Sequence, residues 1–141
     1  MRSLDVKKIV ASILITLTTL TSYVHAKIVV IANPAGPDKL TKAQVKKIYL
    51  GKSKKLGGKK VEAINLKSGQ ETRNQFLSGV VGKNANQYKS YWARRVFTGK
   101  GKPPKEVGSE SAVVSYVASH KNAIGFVDES KVTSKVKIVY R

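Results

Sequence analysis

Six consecutive residues, Ser68-Gly69-Gln70-Glu71-Thr72-Arg73, have the types needed to hold a small anion. They stand where an apolar run hands over to a helical one. Backbone N–H groups at a helix start have no intrahelical acceptor and point away from the helix. The Ser68 and Thr72 hydroxyls can donate beside them, and Gly69 and Gln70 complete the turn. Arg73 adds a charge-assisted fork. The same spacing also describes an ordinary helix start, with Ser68 or Thr72 serving the backbone. A second loop, Asn33-Pro34-Ala35-Gly36-Pro37-Asp38, follows another apolar run, and Asn33 and Ala35 are its candidate anion contacts.

Catalytic chemistry finds less support. From Lys27 onward there is one histidine, His120, and the chain has no cysteine. A solitary histidine makes neither a triad nor a metal site, and its place predicts a helix-terminal cap. Glu110, Asp128 and Glu129 read as caps or solvated charges, and Glu106 or Glu110 would favour the dipole of a helix start. No nucleophile stands beside a base, and no glycine-rich Walker loop is present. The expectation is a protein that is not an enzyme and uses no cofactor or metal.

The positioning elements follow from periodicity. Strands are expected over 27–32, 61–66, 123–127 and 136–140, each a short β-branched or alternating run. Helices are expected over 42–50, 71–77, 85–97 and 110–119, with Thr41 and Ser109 as N-caps and Leu40 as a staple. Ala43, Val45, Ile48 and Tyr49 should face inward from the first. Gly79 and Gly82 should interrupt the chain after the second. Tyr88, Tyr91, Trp92, Val96 and Phe97 form an aromatic face at spacings of three and four, which argues for packing rather than stacking on a ligand. Strands interleaved with helices predict an α/β fold: a single compact domain with a partly parallel sheet and flanking helices. Ligands in such folds sit at strand carboxyl ends, which draws attention to the two loops above.

Residues 1–26 carry a basic start (Arg2, Lys7, Lys8), an apolar stretch from Ile9 to Leu20, and Val24-His25-Ala26. That pattern predicts a secretory signal cleaved after Ala26. Its apolar core is shorter than the roughly 20 residues a membrane span needs. The expected mature protein, 27–141, is periplasmic or secreted and forms one domain. Removing Arg2, Lys7, Lys8 and Asp5 leaves 24 basic residues against 7 acidic ones, a net charge of +17. Such a field attracts anions of every kind. Lysine dominates, which argues against bidentate base readout and so against a specific nucleic-acid partner.

Several segments resemble one family in order along the chain. Leu40-Thr41-Lys42-Ala43-Gln44-Val45-Lys46-Lys47-Ile48-Tyr49-Leu50-Gly51-Lys52 resembles the early helix of phosphate ABC transporter substrate-binding proteins, which reads L-x-x-x-x-L-x-x-I-F-x-G-K. Gly69 to Phe76 resembles the family's G-S-G-T-R-x-x-F turn; Thr72, Arg73 and Phe76 match, while Gln70 and Glu71 stand where Ser and Gly are expected. Tyr91-Trp92 and Val96-Phe97-Thr98-Gly99-Lys100-Gly101-Lys102-Pro103-Pro104 resemble the W-x-x-x-x-F-T-G-x-G-x-P run of its small single-domain relatives. Asn122-Ala123-Ile124-Gly125-Phe126-Val127 resembles its G-A-I-G-Y-V strand. The resemblance implies a domain like one lobe of a type 2 periplasmic binding protein, too short for the two-lobed clamshell. It implies phosphate or a similar oxyanion as ligand, and an ABC permease or membrane sensor as partner. Glu71 would set a carboxylate against that anion. Three functions follow: an exported oxyanion-binding domain, an accessory module that contacts a membrane sensor or transporter without a ligand, and a polyanion-adhesive protein driven by charge.

Overall fold

The computed structural model describes residues 27–141. The expected signal over 1–26 lies outside them. Five strands make one sheet. β1 (Ile28–Ala32) is central enough to be buried on both faces, as its unbroken Ile-Val-Val-Ile-Ala run requires. It pairs antiparallel with β6 (Ala123–Asp128) and with β7 (Lys137–Tyr140). β4 (Glu62–Leu66) runs parallel to β6 on one side and to β5 (Lys105–Val107) on the other. The order is β5-β4-β6-β1-β7, so the sheet is parallel at one edge and antiparallel at the other. A short hairpin, β2 (Lys55–Leu56) with β3 (Lys59–Lys60), stands apart.

The helices are α1 (Lys42–Tyr49), α2 (Glu71–Phe76), α3 (Ala85–Phe97) and α4 (Glu110–Ser119). Thr41 and Gln44 form a reciprocal capping box at α1, and Asn84 and Gln87 form another at α3. Ser109 caps α4 through the Ala112 amide at 3.1 Å. Among the expected details, four change. Ala43 is exposed, leaving Val45, Ile48 and Tyr49 as the buried face of α1. Gly79 does not break the chain: α2 continues through a π-helical turn, Leu77–Val81, and Gly82 ends it in the left-handed region. Val96 and Phe97, at 51% and 92% exposure, leave the aromatic face; Phe97, five residues after Trp92, lies about 140° round the helix from it. Glu106 does not start a helix; it lies in β5. His120 does end α4, stacked on the Tyr116 ring at 3.8 Å with Nδ1 2.8 Å from the Tyr116 carbonyl oxygen.

One junction ties α3 to α1. The last carbonyls of α1 have no helical donors, and α3 supplies them. Tyr88 Oη donates to the Tyr49 carbonyl at 2.8 Å, Tyr91 Oη to that of Leu50 at 2.7 Å, and Arg95 to that of Gly51 at 3.1 Å. The Trp92 indole N–H joins Tyr88 on Tyr49 at 3.3 Å. Burial pushes the Tyr88 phenol up to about 12, so it stays a donor. Behind this seam Tyr49, Phe76 and Phe126 make an aromatic core, the two phenylalanines stacked at 3.9 Å.

Gly51 closes the junction with φ +69, and a Cβ there would lie 2.5 Å from the Trp92 ring. Gly51→Ala is expected to lower unfolding free energy in urea by about 2–4 kcal/mol, from the left-handed backbone and the overpacking together. An unchanged midpoint would mean that Trp92 does not pack there.

Candidate functional site

The turn after β4 is open. Gln70 is the N-cap of α2, but no side chain caps the helix start. The Gln70 amide side chain reaches away to the Gly108 carbonyl at 3.1 Å. Among the described residues, neither the Ser68 hydroxyl nor the amides of Glu71, Thr72 and Arg73 have a hydrogen-bond partner; the first helical bond runs from the Asn74 N–H to the Gln70 carbonyl. Gly69 is left-handed, with φ +92, and open space surrounds it. Ser68 or Thr72 serving the backbone is therefore not what the structure has.

Arg73 is held differently from the outward fork its sequence position suggests. It is 5% exposed. One guanidinium nitrogen donates to the Leu66 carbonyl at 2.6 Å and to the Glu106 carboxylate. Its Nε has no partner. The guanidinium also lies 5.6 Å from the centre of the Tyr88 ring. Arg73, Ser68, Asn65, Tyr88, Lys89 and Glu106 line a cavity of about 260 Å³, closed on one side by Trp92, Pro103 and Pro104. That space suits a small ion better than a drug-sized organic ligand, whose sites start near about 300 Å³. Asn65 is buried there with its side-chain oxygen on the Leu66 amide at 2.8 Å.

Two acidic residues exchange the parts expected of them. Glu71 is exposed and faces a separate groove with Asn74, Gln75 and Ser78, accepting from Gln75 at 3.3 Å. The carboxylate at the cavity is Glu106, brought there by the parallel pairing of Asn65 with Glu106 across β4 and β5. None of Glu106, Asn65, Tyr88 and Lys89 is expected at the site from the sequence, where Glu106 reads as a helix-start carboxylate and Tyr88 as a packing residue. Only the parallel register of a three-residue strand identifies the first of them.

Asn33 and Ala35 are not part of this site. β1 runs antiparallel to β6, and β6 runs parallel to β4, so the carboxyl ends of β1 and β4 lie at opposite ends of the sheet. The Asn33 side chain instead donates to the Val117 and Ala118 carbonyls at 3.1 and 2.9 Å, fastening the end of α4. Its oxygen accepts the Ala35 amide at 2.9 Å, and the Gly36 amide goes to the Asn33 carbonyl at 2.8 Å. That loop satisfies itself. Among the described residues, no group of three or more acidic or histidine side chains is arranged to hold a metal.

No family model matches the chain, and no curated protein matches it in sequence. Solved structures do. A putative phosphate ABC transporter substrate-binding protein from Clostridium perfringens, solved with bound phosphate, superposes with a TM-score of 0.63 at 24% identity, over 79% of this chain and 43% of its own. An ABC-type phosphate transport receptor from Vibrio cholerae gives 0.61 at 21% identity, over 79% and 44%. PstS from Borrelia burgdorferi gives 0.60 at 14% identity, over 80% and 46%. The chain has the fold of one lobe of a phosphate ABC transporter substrate-binding protein. It spans less than half the length of those solute-binding proteins.

Within this lobe Arg73 is a buried charge whose neutrality depends on Glu106. Glu106→Gln is expected to lower unfolding free energy by about 1–2 kcal/mol, less than the ~3–5 of a fully buried broken pair because Glu106 is partly exposed. Denaturant titration of the two proteins at neutral pH checks this. Equal stability would show that Arg73 draws nothing from the carboxylate.

Proposed function

We propose that the protein is an exported, non-catalytic binding lobe for phosphate or a similarly small oxyanion, held at the turn between β4 and α2. The observation that carries this reading is the buried Arg73, with its unpartnered Nε, lining a small cavity beside the Ser68 hydroxyl. The free N–H groups at the start of the helical run from Glu71 to Val81 add donors of the same polarity. The bound phosphate of the Clostridium perfringens neighbour supports the ligand class. Ser68, Gly69, Gln70, Thr72 and Arg73 remain the proposed contacts, now joined by Lys89. The basic mature chain speeds the approach of any such ion. Among the described residues no helix is long and apolar enough to cross a membrane, which fits a protein whose one apolar stretch is a cleaved leader.

Glu106 is the obstacle in this reading, and it makes the test sharp. A bound oxyanion competes with its carboxylate for Arg73. Isothermal titration at low salt with phosphate, sulfate and citrate is expected to show saturable heat for at least one of them. Glu106→Gln should tighten that binding about tenfold, or ~1.4 kcal/mol, by removing a like charge. Arg73→Ala should weaken it far more than Lys100→Ala. Absence of saturable heat in both wild type and Glu106→Gln would overturn the assignment. It would favour the second reading, an accessory module for an ABC permease or membrane sensor, in which the Arg73–Glu106 pair has replaced the ligand. Export is checked separately: the protein recovered from the cell envelope should begin at Lys27.

A further inference from the structure

A larger cleft lies across the wall of Trp92, Pro103 and Pro104, at the amino ends of β4 and β5. The β2–β3 hairpin forms one bank and the loop 100–105 the other. Its volume is about 700 Å³. Lys54, Lys55 and Lys60 line it from the hairpin side, Lys100 and Lys102 from the loop, and Lys105 from the start of β5. All six are exposed, and among the described residues none pairs with a carboxylate. The single acidic residue in the cleft, Glu62, already accepts the Tyr116 hydroxyl at 2.6 Å. The floor is apolar, from Ile48, Ala63 and Trp92. Six like charges around a low-dielectric floor repel one another and focus a strong positive potential.

We infer that this cleft is a second anion site, built for a linear chain of phosphates such as inorganic polyphosphate. One ion neither fills it nor neutralises it, whereas a chain of regularly spaced charges does both. The donors are lysines, compact and rotatable point charges, not the planar forks that select a single carboxylate or phosphate in one geometry. Two other polyanion classes fit less well. Nucleic acid bound as a single strand uses exposed aromatic faces for its bases, but Trp92 is buried in the wall and Phe97 lies outside the cleft. Acidic glycans present hydroxyls to be hydrogen-bonded, and no Asn or Gln lines the cleft. The inference does not depend on the small cavity at Arg73.

The test compares binding of linear inorganic polyphosphate, single-stranded DNA of matched charge, heparin and orthophosphate to the full-length protein. Two triple variants remove equal charge. Lys54→Gln/Lys60→Gln/Lys102→Gln alters the cleft, and Lys39→Gln/Lys42→Gln/Lys121→Gln alters exposed lysines that line neither cavity. Wild type should prefer polyphosphate, with log affinity falling against log salt at a slope of about −4, as for six contacts at ~0.7 each. The cleft triple should weaken polyphosphate at least about tenfold and bring the slope to about −2, while the control triple leaves the slope near −4. Glu106→Gln should leave polyphosphate binding unchanged, which separates this site from the one at Arg73. Equal losses in the two triples would overturn the inference in favour of a diffuse field. DNA or heparin binding as tightly as polyphosphate, with the same dependence on the cleft, would overturn the ligand assignment.

Discussion

A guanidinium cannot be buried without an answering negative charge, and Arg73 is buried. Taking a charge out of water costs several kcal/mol unless a counter-charge and hydrogen bonds offset it. Glu106 and the Leu66 carbonyl supply the offset here. That requirement places β5 against β4, because Glu106 reaches Arg73 only through the parallel register Asn65–Glu106. It also sets the chemistry of the cavity. The cation is already paired with Glu106, so under the function proposed above an incoming oxyanion would have to displace that carboxylate rather than meet a bare charge.

The sheet's mixed direction decides which loops lie near the cavity. β5, β4 and β6 are parallel and present their carboxyl ends together, where the turn after β4 opens. β1 alone runs against them; β7, antiparallel to β1, runs in the same sense as β4 and β6 at the far edge. The loop after β1 consequently does a structural task, with Asn33 joining it to the end of α4. The lysine cleft lies at the other ends of β4 and β5. Trp92 belongs to both walls while its ring packs against Gly51 and its N–H holds the end of α1. A disturbance of that tryptophan reaches both cavities.

Much of this was legible in the residues. Thr41-x-x-Gln44 and Ser109 mark helix starts through side-chain capping, a local interaction that a local pattern can carry. The four apolar strand runs are read the same way. What escaped depends on distant pairing. β5 is three residues long with two of them charged, and its existence follows only from its partner β4. The β2–β3 hairpin pairs lysine-rich dipeptides with no alternation to reveal them. Asn33-Pro34 looks like a ligand loop because a turn after a strand has the same residues whichever way the strand runs in the sheet. Val96 keeps the helical spacing from Trp92 yet stays half exposed, whereas Phe97, five residues after Trp92, falls about 140° round the helix and faces solvent. Arg73 was visible as a cation beside a turn; its inward direction was not, since Glu106 is 33 residues away in sequence.

Backbone amide NMR during titration with inorganic phosphate at low salt tests the central claim most directly. Binding in the Arg73 cavity predicts that Glu71, Thr72 and Arg73 amide resonances move together along one saturable curve, with the Arg73 Nε–H resonance following them. Shifts confined to the hairpin and the 100–105 loop, or none that saturate, would contradict it.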